Sequence, residues 1–110
     1  MIYLATPFSD SDPNVQEQRF QQACQAAAAL IRNGTPVFCP IAHSYPIAQY
    51  DLPTDWTFWE RVDRLQMQSC TEVVVVKLDG WEQSRGIAAE VQIAEEMGLP
   101  VRYVEPHELL

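Results

Sequence analysis

Residues 72–78, with the sequence EVVVVKL, restrict the possible folds of this chain more than any other segment. Consecutive β-branched residues without polar alternation predict a strand that is buried on both faces. Strands of this kind belong to parallel sheets, because the helices that connect parallel strands cover both faces of the sheet. The segment therefore predicts an α/β domain.

The rest of the chain alternates apolar runs with helical patterns, as such a domain requires. Asp12 and Asp55 are predicted helix N-caps, and Gly34 and Gly98 are predicted helix ends. Segment 41–54 is polar and interrupted by prolines, which predicts irregular structure. Strands are predicted at 2–5, 36–40, 72–78 and 100–104, and helices at about 13–33, 56–69 and 83–97.

Residues 1–110 are therefore predicted to form a single three-layer domain with a four-stranded parallel sheet of the Rossmann or flavodoxin type. In such sheets, ligands bind beyond the carboxyl ends of the strands, where the strand order reverses. The segments expected at that edge are 5–10, 40–52, 78–86 and the tail after 104. Neither a G-x-G-x-x-G sequence after the first strand nor a G-x-x-x-x-G-K-[ST] sequence occurs, so no dinucleotide site or P-loop is predicted.

The composition argues against several classes of partner. A formal net charge of −8 disfavours a nucleic-acid polymer or an anionic membrane surface, because both require a basic face. No apolar run is long enough to span a membrane, and a first strand at residue 2 leaves no room for a leader peptide. Cys24, Cys39 and Cys70 form no C-x-x-C pair, which favours a reducing cytoplasm. A zinc site at Cys39 and His43 would need distant ligands, so no metal is expected.

Two acidic residues are predicted to face the core. Glu90 lies on the apolar side of the last helix with Ile87 and Ile93, and Asp63 lies next to Met67 on the preceding helix. A buried carboxylate costs several kcal/mol unless donors or a cation compensate for the lost water. A position at the edge of the apolar side, or a buried arginine partner, would explain either acid alone. Together, two inward carboxylates suit glycosidic-bond cleavage, in which one attacks the anomeric carbon and the other protonates the leaving group.

The residues before Glu90 form a predicted helix start. Ser84 and Gly86 lie where free N–H groups and the helix dipole favour an anion, and Arg85 could turn inward toward it. Ordinary N-capping by Ser84 and close helix–strand packing at Gly86 explain the same residues without a ligand. The sequence leaves both interpretations open.

Three stretches, MIYLATPF, WERVDRLQMQSCTEVVVVKLDG and SRGIAAEVQIA, are similar to the nucleoside 2-deoxyribosyltransferase-like superfamily. The resemblance covers nearly the whole chain and is strongest to small, mostly uncharacterised bacterial members. Its most specific part is S-x-G-x-x-x-E, which comprises Ser84, Gly86 and Glu90 in this sequence.

The resemblance implies a role for several residues. Glu90 corresponds to the nucleophile that forms a glycosyl-enzyme intermediate, Asp63 to the residue that assists protonation of the leaving base, and Tyr3 to a tyrosine that hydrogen-bonds the nucleophile. Ser84 and Gly86 correspond to residues that hold the phosphate in members that hydrolyse nucleoside 5′-monophosphates. The resemblance also implies a Rossmann-like sheet, no metal or redox cofactor, and a homodimer or homotetramer in which a neighbour often closes the pocket.

Further substrate contacts are expected from loops at the carboxyl ends of the strands. Residues 7–8 follow the first strand, and the bulky turn at 79–81 departs from characterised superfamily enzymes. Residues 43–44 could contact a base or a phosphate, and a hydrogen-bonded loop histidine is the alternative interpretation. The predicted substrate-binding residues are Ser84, Gly86, Arg85, Asp79, Gly80, Pro7, Phe8, His43 and Ser44.

The segment DWTFWERVD brings three aromatic residues into one turn of a predicted helix. Because Trp56, Phe58 and Trp59 spread around more than one side of the helix, at least one is expected to be exposed in a monomer. A local core, a dimer interface and a stacking surface for a nucleobase are the alternatives. The resemblance favours an oligomer.

The leading hypothesis is an N-glycosidase or 2-deoxyribosyltransferase that acts on a nucleoside or nucleoside 5′-monophosphate. The alternative is a nucleotide-binding module that senses a ligand without converting it. A third possibility is a structural oligomer in which Glu90 pairs with Arg85 or with a neighbour's arginine. The catalytic hypothesis requires the carboxyl groups of Glu90 and Asp63 to open onto one pocket at the strand ends.

Overall fold

The computed structural model describes residues 1–109 and contains the expected alternation of strands and helices. Its elements are β1 (Ile2–Ala5), α1 (Pro13–Arg32), β2 (Val37–Phe38), α2 (Pro40–Ala48), α3 (Trp56–Gln68), β3 (Glu72–Val76), a 3-10 helix (Trp81–Gln83), α4 (Arg85–Glu96), β4 (Val101–Val104) and a second 3-10 helix (Pro106–Leu109).

The strands form one parallel sheet in the order β2-β1-β3-β4. Tyr3 in β1 pairs with Phe38 in β2 on one side and with Val73 in β3 on the other. The strand order reverses between β1 and β3, so the crevice beyond their carboxyl ends is where a ligand is expected. The predicted α/β class and the four-stranded parallel sheet are confirmed.

Helices cover both faces of this sheet, which gives three layers. On one side, here called the α1 face, Leu4 and Val74 pack against the buried alanines of α1. On the other side, the α3–α4 face, Tyr3 and Val75 pack against Met67 of α3 and against α4. Because alternate residues of a strand point to opposite faces, the valine run supplies both cores, as its lack of polar alternation predicted.

The predicted helix starts and ends agree closely with the structure. Asp12 caps α1 by accepting a hydrogen bond from the Asn14 N–H at 2.9 Å, and Asp55 caps α3 by accepting from the Phe58 N–H at 3.1 Å. Gly34 follows α1 with a φ of 85°, a left-handed conformation that glycine adopts without steric cost. These local signals are sufficient to position both helices.

The prediction of irregular structure over 41–54 is wrong for its first half, because α2 extends from Pro40 to Ala48. Pro40 occupies the first helical position, where its missing N–H costs nothing. Pro46 lies inside the helix and lacks a donor, and α2 ends two residues later. The last helix is also shorter than predicted, since a 3-10 turn at 81–83 precedes α4 and Ser84 is its N-cap.

Among the described residues, no helix is both long enough and apolar enough to cross a membrane.

Candidate functional site

The centre of the candidate site is a hydrogen bond between β1 and α4. The Tyr3 hydroxyl donates to Oε2 of Glu90 at 2.5 Å, and both side chains are buried. Tyr3 reaches this position because the side chain of residue 3 in β1 faces α4. Glu90 reaches it because the side of α4 that carries Ile87, Glu90 and Ile93 faces the sheet. The contact joins residues 87 positions apart in the sequence.

Asp63 is the second buried acid on the α3–α4 face. Only 8% of Asp63 and 5% of Glu90 is exposed. The Asp63 carboxyl makes no hydrogen bond or ion pair with any residue in 1–109, and its charge raises the pKa values of both Glu90 and Tyr3. The prediction that both acids point inward is therefore confirmed, and the two helices bring them close enough to interact electrostatically.

Burial changes the protonation of both acids. Loss of water around Glu90 raises its pKa to about 8, and the charge of Asp63 adds to this effect, whereas the hydrogen bond from Tyr3 opposes it. Loss of water also raises the pKa of Asp63 to about 6. Between these values the two carboxyl groups hold one proton between them, so one can act as an acid while the other is ionised.

The other buried titratable groups nearby stay neutral. Burial, followed by the charges of Glu90 and Asp63, raises the pKa of the Tyr3 hydroxyl far above its usual value, so Tyr3 remains a hydrogen-bond donor. Burial raises the pKa of the Cys39 thiol to about 11, and the charge of Glu90 contributes to the increase. Cys39 packs in the core of the α1 face and stays a neutral thiol there.

An aromatic series connects Tyr3 to α2. The Phe38 ring lies 5.8 Å from the Tyr3 ring and 5.6 Å from the His43 ring, measured between centroids. His43 is exposed, and its Nδ1 lies 3.3 Å from the Ser44 hydroxyl. His43 and Ser44 thus lie on the side of the cluster that faces α2. Phe38 was missed because a lone aromatic residue in a two-residue strand carries no functional signal in the sequence.

At the start of α4, the Ser84 hydroxyl accepts a hydrogen bond from the Ile87 N–H at 3.1 Å, which is ordinary N-capping. A Cβ on Gly86 would contact only the Ser84 hydroxyl, at 3.8 Å, so packing within residues 1–109 does not require glycine there. Arg85 is exposed and forms no ion pair with Glu90, whose hydrogen-bond partner is Tyr3. Burial, Tyr3 and Asp63, rather than Arg85, therefore determine the protonation state of Glu90.

Arg19 of α1 connects the loops that follow β1 and β3. Its guanidinium donates to the Ser9 carbonyl at 2.8 Å and packs so closely on Gly80 that an added Cβ would lie 2.5 Å from Nη2. Gly80 also has a φ of 89°, and its neighbour Asp79 is exposed. No local sequence pattern indicates this contact, because the two loops are adjacent only in the folded sheet.

The remaining predicted site residues differ in burial. Pro7 is fully buried behind the end of β1, and Phe8 is half-buried with its ring 5.2 Å from that of Tyr45.

Trp56 and Phe58 are 38% and 36% exposed, which confirms that the aromatic turn of α3 is not fully buried in the monomer. Trp59 is half-buried, and its indole N–H donates to the Pro53 carbonyl at 2.7 Å.

Two surface cavities lie beside this cluster. One of about 520 Å³ lies along the outer side of α4, where Ser84 contributes to its wall, and one of about 280 Å³ lies next to Met67. Tyr3, Asp63 and Glu90 line neither cavity, so neither cavity is the shared pocket that the catalytic hypothesis requires. Within residues 1–109, no three His, Cys, Asp or Glu side chains are grouped as a metal ion would need. The two buried acids can hold and release a proton near neutral pH.

A family model described as "Domain of unknown function (DUF1937)" matches residues 1–105. No curated protein matches the chain.

Proposed function

The chain belongs to the DUF1937 family, and we propose that it is an N-glycosidase or 2-deoxyribosyltransferase acting on a nucleoside or nucleoside 5′-monophosphate. The observation that carries this proposal is the hydrogen bond from Tyr3 to Glu90 beside the buried Asp63. Its residues are those that the resemblance to the nucleoside 2-deoxyribosyltransferase-like superfamily assigns to catalysis.

The energetics of the cluster support a functional origin. Two carboxyl groups are kept in an apolar core at pKa values of about 8 and about 6, so ionising them there costs stability that apolar side chains would not. Perturbed acids of this kind concentrate at sites that move protons. The pair therefore fits catalysis better than it fits packing.

In the proposed reaction, ionised Glu90 attacks C1′ of the sugar through Oε1, while Oε2 keeps its hydrogen bond from Tyr3. The C1′–N bond breaks, its electron pair goes to the base nitrogen, and protonated Asp63 supplies the proton that makes the base neutral. Water then attacks C1′, gives a proton back to Asp63 and releases Glu90. A second base in place of water gives transfer instead of hydrolysis.

This mechanism requires the single shared proton to be on Asp63. The Asp63-protonated and Glu90-protonated forms carry the same total charge, so their ratio does not change with pH. The rate is therefore expected to follow a bell-shaped profile between the pKa values of about 6 and about 8, with a maximum near neutrality. A substrate that brings a polar sugar to Glu90 favours the ionised form of this residue.

A substrate must also reach two side chains that are almost fully buried. The loops of residues 6–12 and 77–84 border the carboxyl ends of β1 and β3, and Arg19 connects them. We expect substrate binding to separate these loops and to widen the crevice toward Glu90.

The test is the release of free base at pH 7 from a panel of nucleosides and nucleoside 5′-monophosphates, with the released base measured by chromatography. The wild-type protein and a Glu95→Gln control should release base from at least one member of the panel, because Glu95 is exposed on the outer side of α4. Glu90→Gln should abolish release. Full activity in Glu90→Gln, or no release by the wild type across the panel, contradicts the proposal.

A nucleotide-binding module is the second candidate function. The pKa of about 8 favours it, because a Glu90 that is mostly protonated at pH 7 is a good hydrogen-bond donor and a poor nucleophile. Saturable binding of a panel member without base release, measured by calorimetry, would assign this function instead.

A further inference from the structure

The cavity of about 520 Å³ is separate from the proposed catalytic cluster. We call it the β4 groove: its walls are the 3-10 helix at Trp81 and Glu82, the outer side of α4 at Ala88, Val91 and Glu95, and Tyr103 of β4. Glu90 faces the sheet from the opposite side of α4. The groove is within the size range of small-molecule sites, and none of the three proposed catalytic residues lines it.

The charge of the β4 groove is negative. Glu82 and Glu95 line it, both are exposed, and neither forms an ion pair with any residue in 1–109. No lysine or arginine is among the lining residues. By contrast, the adjacent Glu96 is held by Arg64, whose Nη1 donates to it at 3.2 Å. Two unpaired carboxylates and no cation favour a positively charged occupant.

The groove also presents two aromatic rings. The centroids of Trp81 and Tyr103 lie 5.7 Å apart at an angle of 53°, and Tyr103 is 46% exposed. The Lys77 ammonium lies 5.8 Å from the Trp81 centroid, so the electron-rich ring already attracts a cation from this chain. Lys77 is itself neutralised by Glu105 at 3.4 Å and does not line the groove. Rings next to free carboxylates form the kind of site that holds organic ammonium groups.

From this combination we infer that the β4 groove is a binding site for a small organic cation, an ammonium group carried on an apolar body. The apolar side chains Ala88 and Val91 form a floor for the body of the ligand, and Glu82 and Glu95 attract its charge. A second copy of the chain is the less suitable occupant, because each copy carries a net charge of −8 and would add to the repulsion. Ser84, a predicted phosphate-binding residue, also contributes to the groove wall, so the two sites adjoin there. The inference itself does not depend on the proposed glycosidic function.

The test uses choline as the probe and 3,3-dimethyl-1-butanol, its uncharged carbon analogue, as the control ligand. Both are titrated into the ¹⁵N-labelled wild-type protein at low salt. The indole N–H signal of Trp81, identified by its loss in Trp81→Phe, and the amide of Tyr103 report on the groove. Choline should shift both signals saturably, and the alcohol should shift them far less, because only choline carries the charge.

Two neighbouring glutamates of α4 provide a matched pair of variants. Glu95→Gln should weaken choline binding about two- to fivefold, the effect of losing one exposed charge contact. Glu96→Gln makes the same change of net charge but removes a residue held by Arg64, so it should leave the affinity unchanged. Both positions are exposed, so neither change should prevent folding.

Several results would overturn the inference. These are the absence of a saturable shift with choline, an equal response to the uncharged alcohol, and equal weakening by Glu95→Gln and Glu96→Gln. A shift of the Trp81 and Tyr103 signals with protein concentration alone, without an effect of choline, would assign the groove to contact between copies of the chain instead.

Discussion

The two faces of the sheet are built from the same strands but differ in chemistry. On the α1 face, the buried residues from β1, β3 and α1 are aliphatic. On the α3–α4 face, the corresponding layer contains Tyr3, Asp63 and Glu90 among apolar neighbours. Since the α1 face shows that this sheet can be covered by apolar residues alone, the acids on the other face are not needed to form the fold. The difference separates the aliphatic packing that stabilises the domain from the buried acids that we propose to be catalytic.

The largest effect on stability is expected on the apolar face. Leu4 is fully buried against α1, and Leu4→Ala should lower the free energy of unfolding by about 2–5 kcal/mol through lost burial and a residual cavity. No titratable side chain is involved, so the loss should be the same at pH 5 and pH 8. Denaturant unfolding at both pH values measures it, and a loss that depends strongly on pH would mean that the two faces are coupled.

Glu90→Gln should have the opposite effect and raise the free energy of unfolding at pH 8. The pKa of Glu90 is raised from 4.5 to about 8 by folding, so the folded protein keeps a proton that the unfolded chain loses in this interval. The contribution of Glu90 to stability is therefore fully present below its unfolded-state pKa of 4.5, and it is lost as the pH rises through its folded-state pKa of about 8. Glutamine cannot ionise and still accepts from Tyr3, so the variant should be more stable than the wild type at pH 8, by on the order of a few kcal/mol.

The matched control for this change is Glu95→Gln, which removes an exposed charge from the same helix. It should change the stability by less than about 0.5 kcal/mol at either pH. Unfolding curves at pH 5 and pH 8 compare the three proteins. A wild type that is equally stable at both values would show that Glu90 is not a buried acid with a raised pKa.

Tyr3→Phe should have a smaller effect, of about 1–3 kcal/mol, because it leaves the buried carboxyl of Glu90 without its donor. The hydrogen bond from Tyr3 lowers the pKa of Glu90, so its removal should raise that pKa above about 8. Carbon-13 NMR of the glutamate carboxyl groups measures the change. Tyr103→Phe, at an exposed ring, is the control and should leave the pKa of Glu90 unchanged.

Gly86→Ala should have a smaller effect on stability than the changes at Leu4, Glu90 and Tyr3. Position 86 is helical and its added Cβ meets only ordinary contacts, so alanine should stabilise the protein by up to about 1 kcal/mol. If a ligand approaches this backbone, the same change should weaken its binding. Gly98→Ala is the contrasting variant, because its φ of 72° makes alanine strained, and it should destabilise the protein. Gly86→Ala that lowers stability would instead indicate a packing role.

Whether a feature of either face can be predicted from the sequence depends on whether its signal is local or joins residues far apart in the chain. The valine run of β3 and the caps at Asp12 and Asp55 are local, and they gave the fold class and the helix positions. The helix α2 was missed because Pro46 and polar residues hid a short helix whose start, with Pro40 in its first position, is favourable.

For the candidate site, helical periodicity alone predicted that Asp63 and Glu90 face inward, since each lies on the apolar side of one helix. The partner of Glu90 was not predictable in this way, because Tyr3 lies 87 residues away and only the resemblance indicated it. The contact of Arg19 with Gly80 and the pairing of Trp81 with Tyr103 depend on how loops and strands meet in space. A single sequence carries no signal for such contacts.

Capture of a glycosyl-enzyme intermediate would show whether Glu90, on the α3–α4 face, attacks C1′ of the sugar. The wild-type protein is mixed with a nucleoside or nucleotide that it cleaves, quenched with acid during turnover, digested and examined by mass spectrometry. A sugar ester is expected on Glu90 of the wild type and should be absent from Glu90→Gln. Base release without any adduct on Glu90, or with the adduct on Asp63, would contradict the proposed role of Glu90.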